Sequence, residues 1–118
     1  MKSFVIGRIK SLKFALYGMF LLVKTEHSII TQSLLSLLLI AIGFYIDLSK
    51  LDWIIQLFCM AFILAIESLN TAVEKLCDFV HPDYHPKIGF IKDIAAGAVS
   101  FAVLISIVIL SITYYSYL

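Results

Sequence analysis

The chain has 118 residues, 62% of them apolar and 14% charged, where soluble domains carry about 45–50% apolar and about 25% charged residues. With a mean hydropathy of +1.03, water is not its only solvent, and its length suits one domain, residues 1–118. Nine Lys and Arg against eight Asp and Glu leave a net charge of +1, which excludes the basic footprint of a nucleic acid partner.

Residues 1–25 read as an amphipathic surface helix. At 100° per residue, Val5, Ile9, Leu12, Leu16, Met19, Phe20 and Val23 share one stripe, with Lys2, Lys10, Lys13 and Lys24 beside it. A further face collects Arg8, Ser11, Ala15, Gly18 and Glu26, and its small residues are expected to dock on the rest of the protein. The alternative is a helix lying loosely on the lipid surface. The cations interrupt any apolar h-region, so no signal peptide is expected.

No charge falls between His27 and Ile46, between Trp53 and Ile66, or from Ile94 to Leu118. A spanning helix needs about 20 apolar residues, which places spans at 28–46, at 53–73 with a continuation to about 78, and at 94–116. Cations cluster before the first span and, as Lys75, Lys87 and Lys92, between the second and third. The segment Asp47 to Asp52 is acidic on balance, so the N-terminus is expected inside the cell. Pro82 and Pro86 should break the helix after Asp78, making 79–91 a cytoplasmic loop or bent surface segment. Ala95, Ala96, Gly97, Ala98, Ser100 and Ala102 are expected to give close helix contact at the start of the third span. Cys59 and Cys77 lack CxxC spacing and read as small buried apolar groups.

Glu67, Asn70, Thr71, Glu74 and Asp78 follow the i, i+3, i+4, i+7, i+11 spacing of one helix face. A carboxylate at membrane depth costs about 2.5–3.5 kcal/mol on insertion scales, and residues of this kind mark functional sites. Glu67 is the deepest. The bland reading has Glu74 and Asp78 solvated and Glu67 paired with a Lys, with Asn70 joining helices. By the topology above, Glu26, Lys92 and Asp93 lie at the same boundary. Carboxylates such as Glu26, Glu74 and Asp93 suit Mg²⁺, which takes one or two of them together with substrate phosphates. Lys92 is either a phosphate contact or a topological charge with Asp93 at a helix start. His81, Asp83 and His85 read as solvated loop residues, because two prolines and no fourth ligand argue against a metal loop.

No P-loop or protein-kinase motif occurs. The run Glu67-x-x-Asn70-Thr71-Ala72-Val73-Glu74, then Asp78, His85-Pro86 and Lys92-Asp93-Ile-Ala-Ala-Gly-Ala-Val99, resembles the signature of the prokaryotic diacylglycerol kinase family, which includes undecaprenol kinases. Ser11, Ala15, Gly18 and Thr25-Glu26 stand at that family's intervals, so the resemblance covers roughly residues 8 to 100. It implies an all-α integral membrane fold, a surface helix plus three spans, in a homotrimer with shared active sites at the cytoplasmic face of the inner membrane. It also implies an ATP- and Mg²⁺-dependent kinase acting on a membrane lipid alcohol, with Glu67 as general base. Glu26 and Glu74 would hold the metal on ATP; Asn70, Lys92 and Asp93 would complete the nucleotide site. Arg8, Ser11, Glu67 and Asn70 would bind the lipid. Gly89 departs from the family, many of whose members carry a basic residue there, and Ser28 and Ile30 replace a frequent Asn and Arg.

Two other classes compete. A small proton-coupled or multidrug transporter would need a fourth span, which the charges of residues 1–24 oppose, and polar groups near the midplane. A non-catalytic membrane assembly subunit would show no ATP-dependent activity.

Overall fold

A computed structural model describes all 118 residues as four helices: α1 Lys2–Thr25, α2 His27–Tyr45, α3 Lys50–Val80 and α4 Pro86–Tyr115. The last three are long and apolar enough to cross a membrane. The protein is therefore an all-α, multi-pass membrane protein, and its three apolar helices run over the charge-free stretches. In lipid, every backbone N–H and C=O must be satisfied internally, which is why each apolar run closes into a helix.

The joins follow from local chemistry. Between α2 and α3, Asp47 adopts a left-handed φ of 56°, a conformation that the short polar side chain of Asp tolerates. Ser49 then caps α3 by accepting a hydrogen bond from the Asp52 amide at 3.2 Å. Gly43 is required here: a Cβ would sit 2.7 Å from the Trp53 ring and 2.9 Å from Leu48. Between α3 and α4, the expected loop at 79–91 shrinks to 81–85. Helix α3 continues through Phe79 and Val80, ending where Pro82 disfavours helical backbone in His81. Pro86 starts α4 instead of breaking it, since its missing N–H would be unpaired in the first turn anyway. The His85 ring caps that turn, its Nδ1 accepting from the Lys87 amide at 3.0 Å.

Helices α3 and α4 form the main packed pair, α2 rests on α3, and α1 meets chiefly α2. Among the small residues of α4, Ala102 is buried and the contact extends to Ser106, while nothing lies within 4 Å of the position of a Gly97 Cβ. The expected docking of α1 is likewise not made within one chain. Glu26 is extended at φ −99° and ψ 115°, which ends α1 and turns it aside, and α1 buries no residue. The dimensions of 49 × 48 × 23 Å fit a bundle with α1 projecting from it.

One end of the bundle is tied by polar groups. Gln56 is fully buried; its Nε2 donates to the Leu39 carbonyl at 3.0 Å and its Oε1 accepts from the Tyr114 hydroxyl. Nearby, the Tyr117 hydroxyl donates to Asp52 at 2.6 Å and accepts from the Ser49 amide at 2.9 Å. Three helices are thus held in register at the end opposite the acidic stripe.

Candidate active site

Helix α3 has 31 residues, about 46 Å at 1.5 Å per residue, against a hydrocarbon core of about 30 Å. Its apolar stretch ends at Ile66 and its acidic stripe begins at Glu67. Glu67, Asn70 and Thr71 are buried, whereas Glu74 and Asp78, one and two turns further on, are exposed. The stripe runs from a sheltered carboxylate to open ones. The Asn70 amide Nδ2 donates to Glu74 Oε1 at 3.2 Å, while its Oδ1 is buried with no partner. A buried amide oxygen without a partner loses its hydration uncompensated, so it is poised to accept a bond from a ligand or water.

The lysines do not neutralise Glu67. Lys75 reaches across to Glu26 at the α1–α2 junction, Nζ to Oε1 3.0 Å, and Lys92 of α4 reaches Asp78 at 2.6 Å. Those two pairs join the α1–α2 junction, α3 and α4 at one end, and Lys75 beside Glu26 holds that carboxyl below the ordinary glutamate value. Asp78 is exposed, as the bland reading has it, and is also the partner of Lys92. Asp93 is exposed beside Lys92. Arg8 and Ser11 are not brought to this cluster: both are exposed on α1, with Arg8 over the Phe4 ring at 5.7 Å and the Ser11 hydroxyl donating to the Gly7 carbonyl at 2.9 Å.

Residue types alone gave Lys75 no role beyond topology. Its place beside Glu74 was the available signal, but its reach to a residue 49 positions earlier was not. At Gly89, the Tyr84 ring lies 3.4 Å from where a Cβ would be, so an aromatic ring covers the turn that carries no basic side chain. His81 donates through Nδ1 to the Asp83 carbonyl at 2.7 Å, and its ring meets His85 edge-on at 5.4 Å.

The donor set can be tested against a magnesium nucleotide. No three His, Cys, Asp or Glu side chains converge on one point, so the fold builds no complete cage. It offers two carboxylates at this end of the bundle, Glu26 paired with Lys75 and Glu74 bonded by Asn70, plus an unpartnered amide oxygen. That suits Mg²⁺, which keeps waters and substrate phosphates in its shell and needs only one or two carboxylates from protein. An apolar groove of about 510 Å³ runs between α3 and α4, walled by Phe58, Phe62, Ile66 and Phe101.

A family model described as prokaryotic diacylglycerol kinase matches residues 13–114. An undecaprenol kinase from Bacillus subtilis is 31% identical over 100 residues, covering 85% of this chain and 81% of that protein. A diacylglycerol kinase from Haemophilus influenzae is 29% identical over 97 residues, 82% of each chain. A diacylglycerol kinase from Escherichia coli K12 is 25% identical over 72 residues, 61% of this chain and 59% of that one.

Proposed function

The chain belongs to the prokaryotic diacylglycerol kinase family and is a membrane lipid kinase; from that premise we propose that it transfers the γ-phosphoryl group of ATP to the hydroxyl of a membrane lipid, undecaprenol ahead of diacylglycerol. The observation that carries the reading is the graded stripe of α3, in which Glu67 is buried just past the helix's apolar stretch while Glu74 and Asp78 are exposed.

In this reading Glu67 accepts the proton of the lipid hydroxyl as that oxygen attacks phosphorus. Such a carboxylate needs a position within hydrogen-bond reach and a sheltered environment, and its freedom from Lys75 and Lys92 leaves it able to take the proton. Asn70 presents its free Oδ1 to the reactants and steadies Glu74 through Nδ2. Lys92, a compact charge with three donors, holds a phosphate once released from Asp78, with Asp93 beside it. Glu26 and Glu74 would hold Mg²⁺, which when bound supplies charge neutralisation on the phosphates. Positioning and charge compensation account for most of phosphoryl-transfer catalysis, so few protein groups suffice.

The cationic flanks support a cytoplasmic position for this end of the bundle, at the face of the inner membrane where ATP is available. The open face of α1, with Arg8 and Ser11, supports a homotrimer in which α1 serves a neighbouring chain's lipid site, because one chain leaves that face without a partner.

The test is transfer of labelled phosphate from MgATP to undecaprenol and to diacylglycerol in matched micelles. Wild type should label undecaprenol faster, and Glu67→Gln should lower kcat by about 10²–10⁴, the range of a general base. Labelling of neither lipid by folded protein, under conditions in which a relative works, would end the proposal. Glu74→Gln should raise the Mg²⁺ concentration needed without changing the lipid KM.

A further inference from the structure

We propose that Lys75 is the resident counter-cation of Glu26, which a divalent metal must displace and which then turns to the nucleotide phosphates. This inference depends on the assignment of Glu26 to the metal made above.

The geometry is that of a pair built to exchange. The Lys75 Nζ lies 3.0 Å from Glu26 Oε1, but its side chain is 67% exposed while that of Glu26 is 21% exposed. The carboxylate is held at the α1–α2 junction, and the ammonium is the free end. An exposed ion pair contributes little to stability, so its rupture is no obstacle to a stronger ligand. A dication arriving at the same carboxylate repels the neighbouring ammonium, more strongly near a protein surface than in bulk water. The two cations do not share the group, and Lys75 is the one with a flexible stem and water around it.

Its destination follows from what surrounds it. The Lys75 Nζ already lies at Glu26, so phosphates on a metal held by that carboxylate would fall within the sweep of its stem. Helix α4 supplies Lys92 there and no other cation in the preceding turn, where Gly89, Phe90 and Ile91 stand and the Tyr84 ring fills the space at Gly89. A released Lys75 would add a cation beside the one that Lys92 supplies. In the resting state the same ammonium keeps Glu26 against α3, so Lys75 is a positioning residue first and a phosphate contact second.

The experiment measures Mn²⁺ binding by electron paramagnetic resonance to the full chain in micelles without nucleotide, and separately the KM for MgATP. Lys75→Met should bind Mn²⁺ about two- to fivefold more tightly than wild type, the weight of an exposed ion pair. Lys75→Arg should stay near wild type, and so should Lys87→Met, which removes the same charge from the first turn of α4. With nucleotide, Lys75→Met should raise the KM for MgATP about tenfold, as loss of a charge-assisted hydrogen bond does, with Arg restoring most of it and kcat little changed. Mn²⁺ binding unchanged in Lys75→Met, or tightened equally in Lys87→Met, overturns the exchange; an unchanged KM overturns the phosphate contact. Glu26→Gln separates the two levels. If it weakens Mn²⁺ binding and Lys75→Met has no effect, the inference alone falls; if it binds Mn²⁺ like wild type, the metal assignment falls and takes the inference with it.

Discussion

Lys92 Nζ lies 2.6 Å from Asp78 Oδ1, joining the start of α4 to the last turns of α3 on the side of the site that faces water. The Asp78 side chain is 62% exposed, so the pair itself is worth under about 1 kcal/mol of stability. The two partners should therefore behave differently when removed. Lys92→Ala should raise the KM for MgATP about tenfold or more, because a phosphate contact is lost. Asp78→Ala should leave unfolding within about 1 kcal/mol and change the KM far less. Equal losses in steady-state kinetics would mean that Lys92 acts only through its ion pair.

Acidification should release the α1–α2 junction from α3. Glu26 titrates below the ordinary glutamate value because the Lys75 ammonium favours its charged form. A group depressed in this way contributes its stabilisation fully above the ordinary range and loses it as the pH falls through the depressed value. The Glu26 carboxyl carbon, followed by NMR in the full chain, should show a low midpoint that moves up in Lys75→Met. A midpoint indifferent to that substitution would remove Lys75 as the cause.

Gly43 and Gly97 should respond oppositely to alanine. A methyl at Gly43 meets the Trp53 ring at 2.7 Å and Leu48 at 2.9 Å, and an indole cannot fold out of the way. Overpacking of this kind costs about 1–3 kcal/mol, readable in detergent unfolding. A methyl at Gly97 meets nothing within 4 Å in the chain, and alanine favours helix by up to about 1 kcal/mol over glycine. Loss of stability there instead would show that another chain packs against α4 at that point.

Tyr114→Phe should destabilise by leaving the fully buried Gln56 Oε1 without its donor. The expected cost lies between about 0.6 kcal/mol, the average for side-chain bonds between membrane helices, and about 3 kcal/mol for an orphaned buried acceptor. Adding Gln56→Leu should recover part of the loss, since replacing both partners by apolar groups is close to neutral. A double variant weaker than the sum of the singles would contradict the clamp.

Much of this architecture can be read directly from residue order. Charge-free runs mark spans because lipid excludes ions, and the period of Glu67, Asn70, Thr71 and Glu74 puts them on one face whatever surrounds them. What local pattern cannot carry is a meeting of distant residues. Tyr117 with Ser49, Gln56 with Tyr114 and Lys75 with Glu26 are separated by 68, 58 and 49 positions, and nothing beside any of them in the sequence names its partner. Pro86 misled for another reason: proline ends a helix when it is interior and begins one when first, and only the His85 ring bonded to the Lys87 amide distinguishes the cases. The small face of α1 is legible as a contact surface, but not what it contacts.

The length of α3 has a consequence for which lipids are accepted. Seven residues separate Glu67 from Glu74, a rise of about 10 Å, and both belong to one unbroken helix anchored at its far end by Ser49, Gln56 and their tyrosines. The helix is therefore a fixed ruler with two marks. With Glu67 as the proposed base, a lipid is sorted by the altitude at which its hydroxyl rides: one sunk well below the Glu67 mark, or carried above it on a bulky polar head, would miss the carboxylate however well its chain packs.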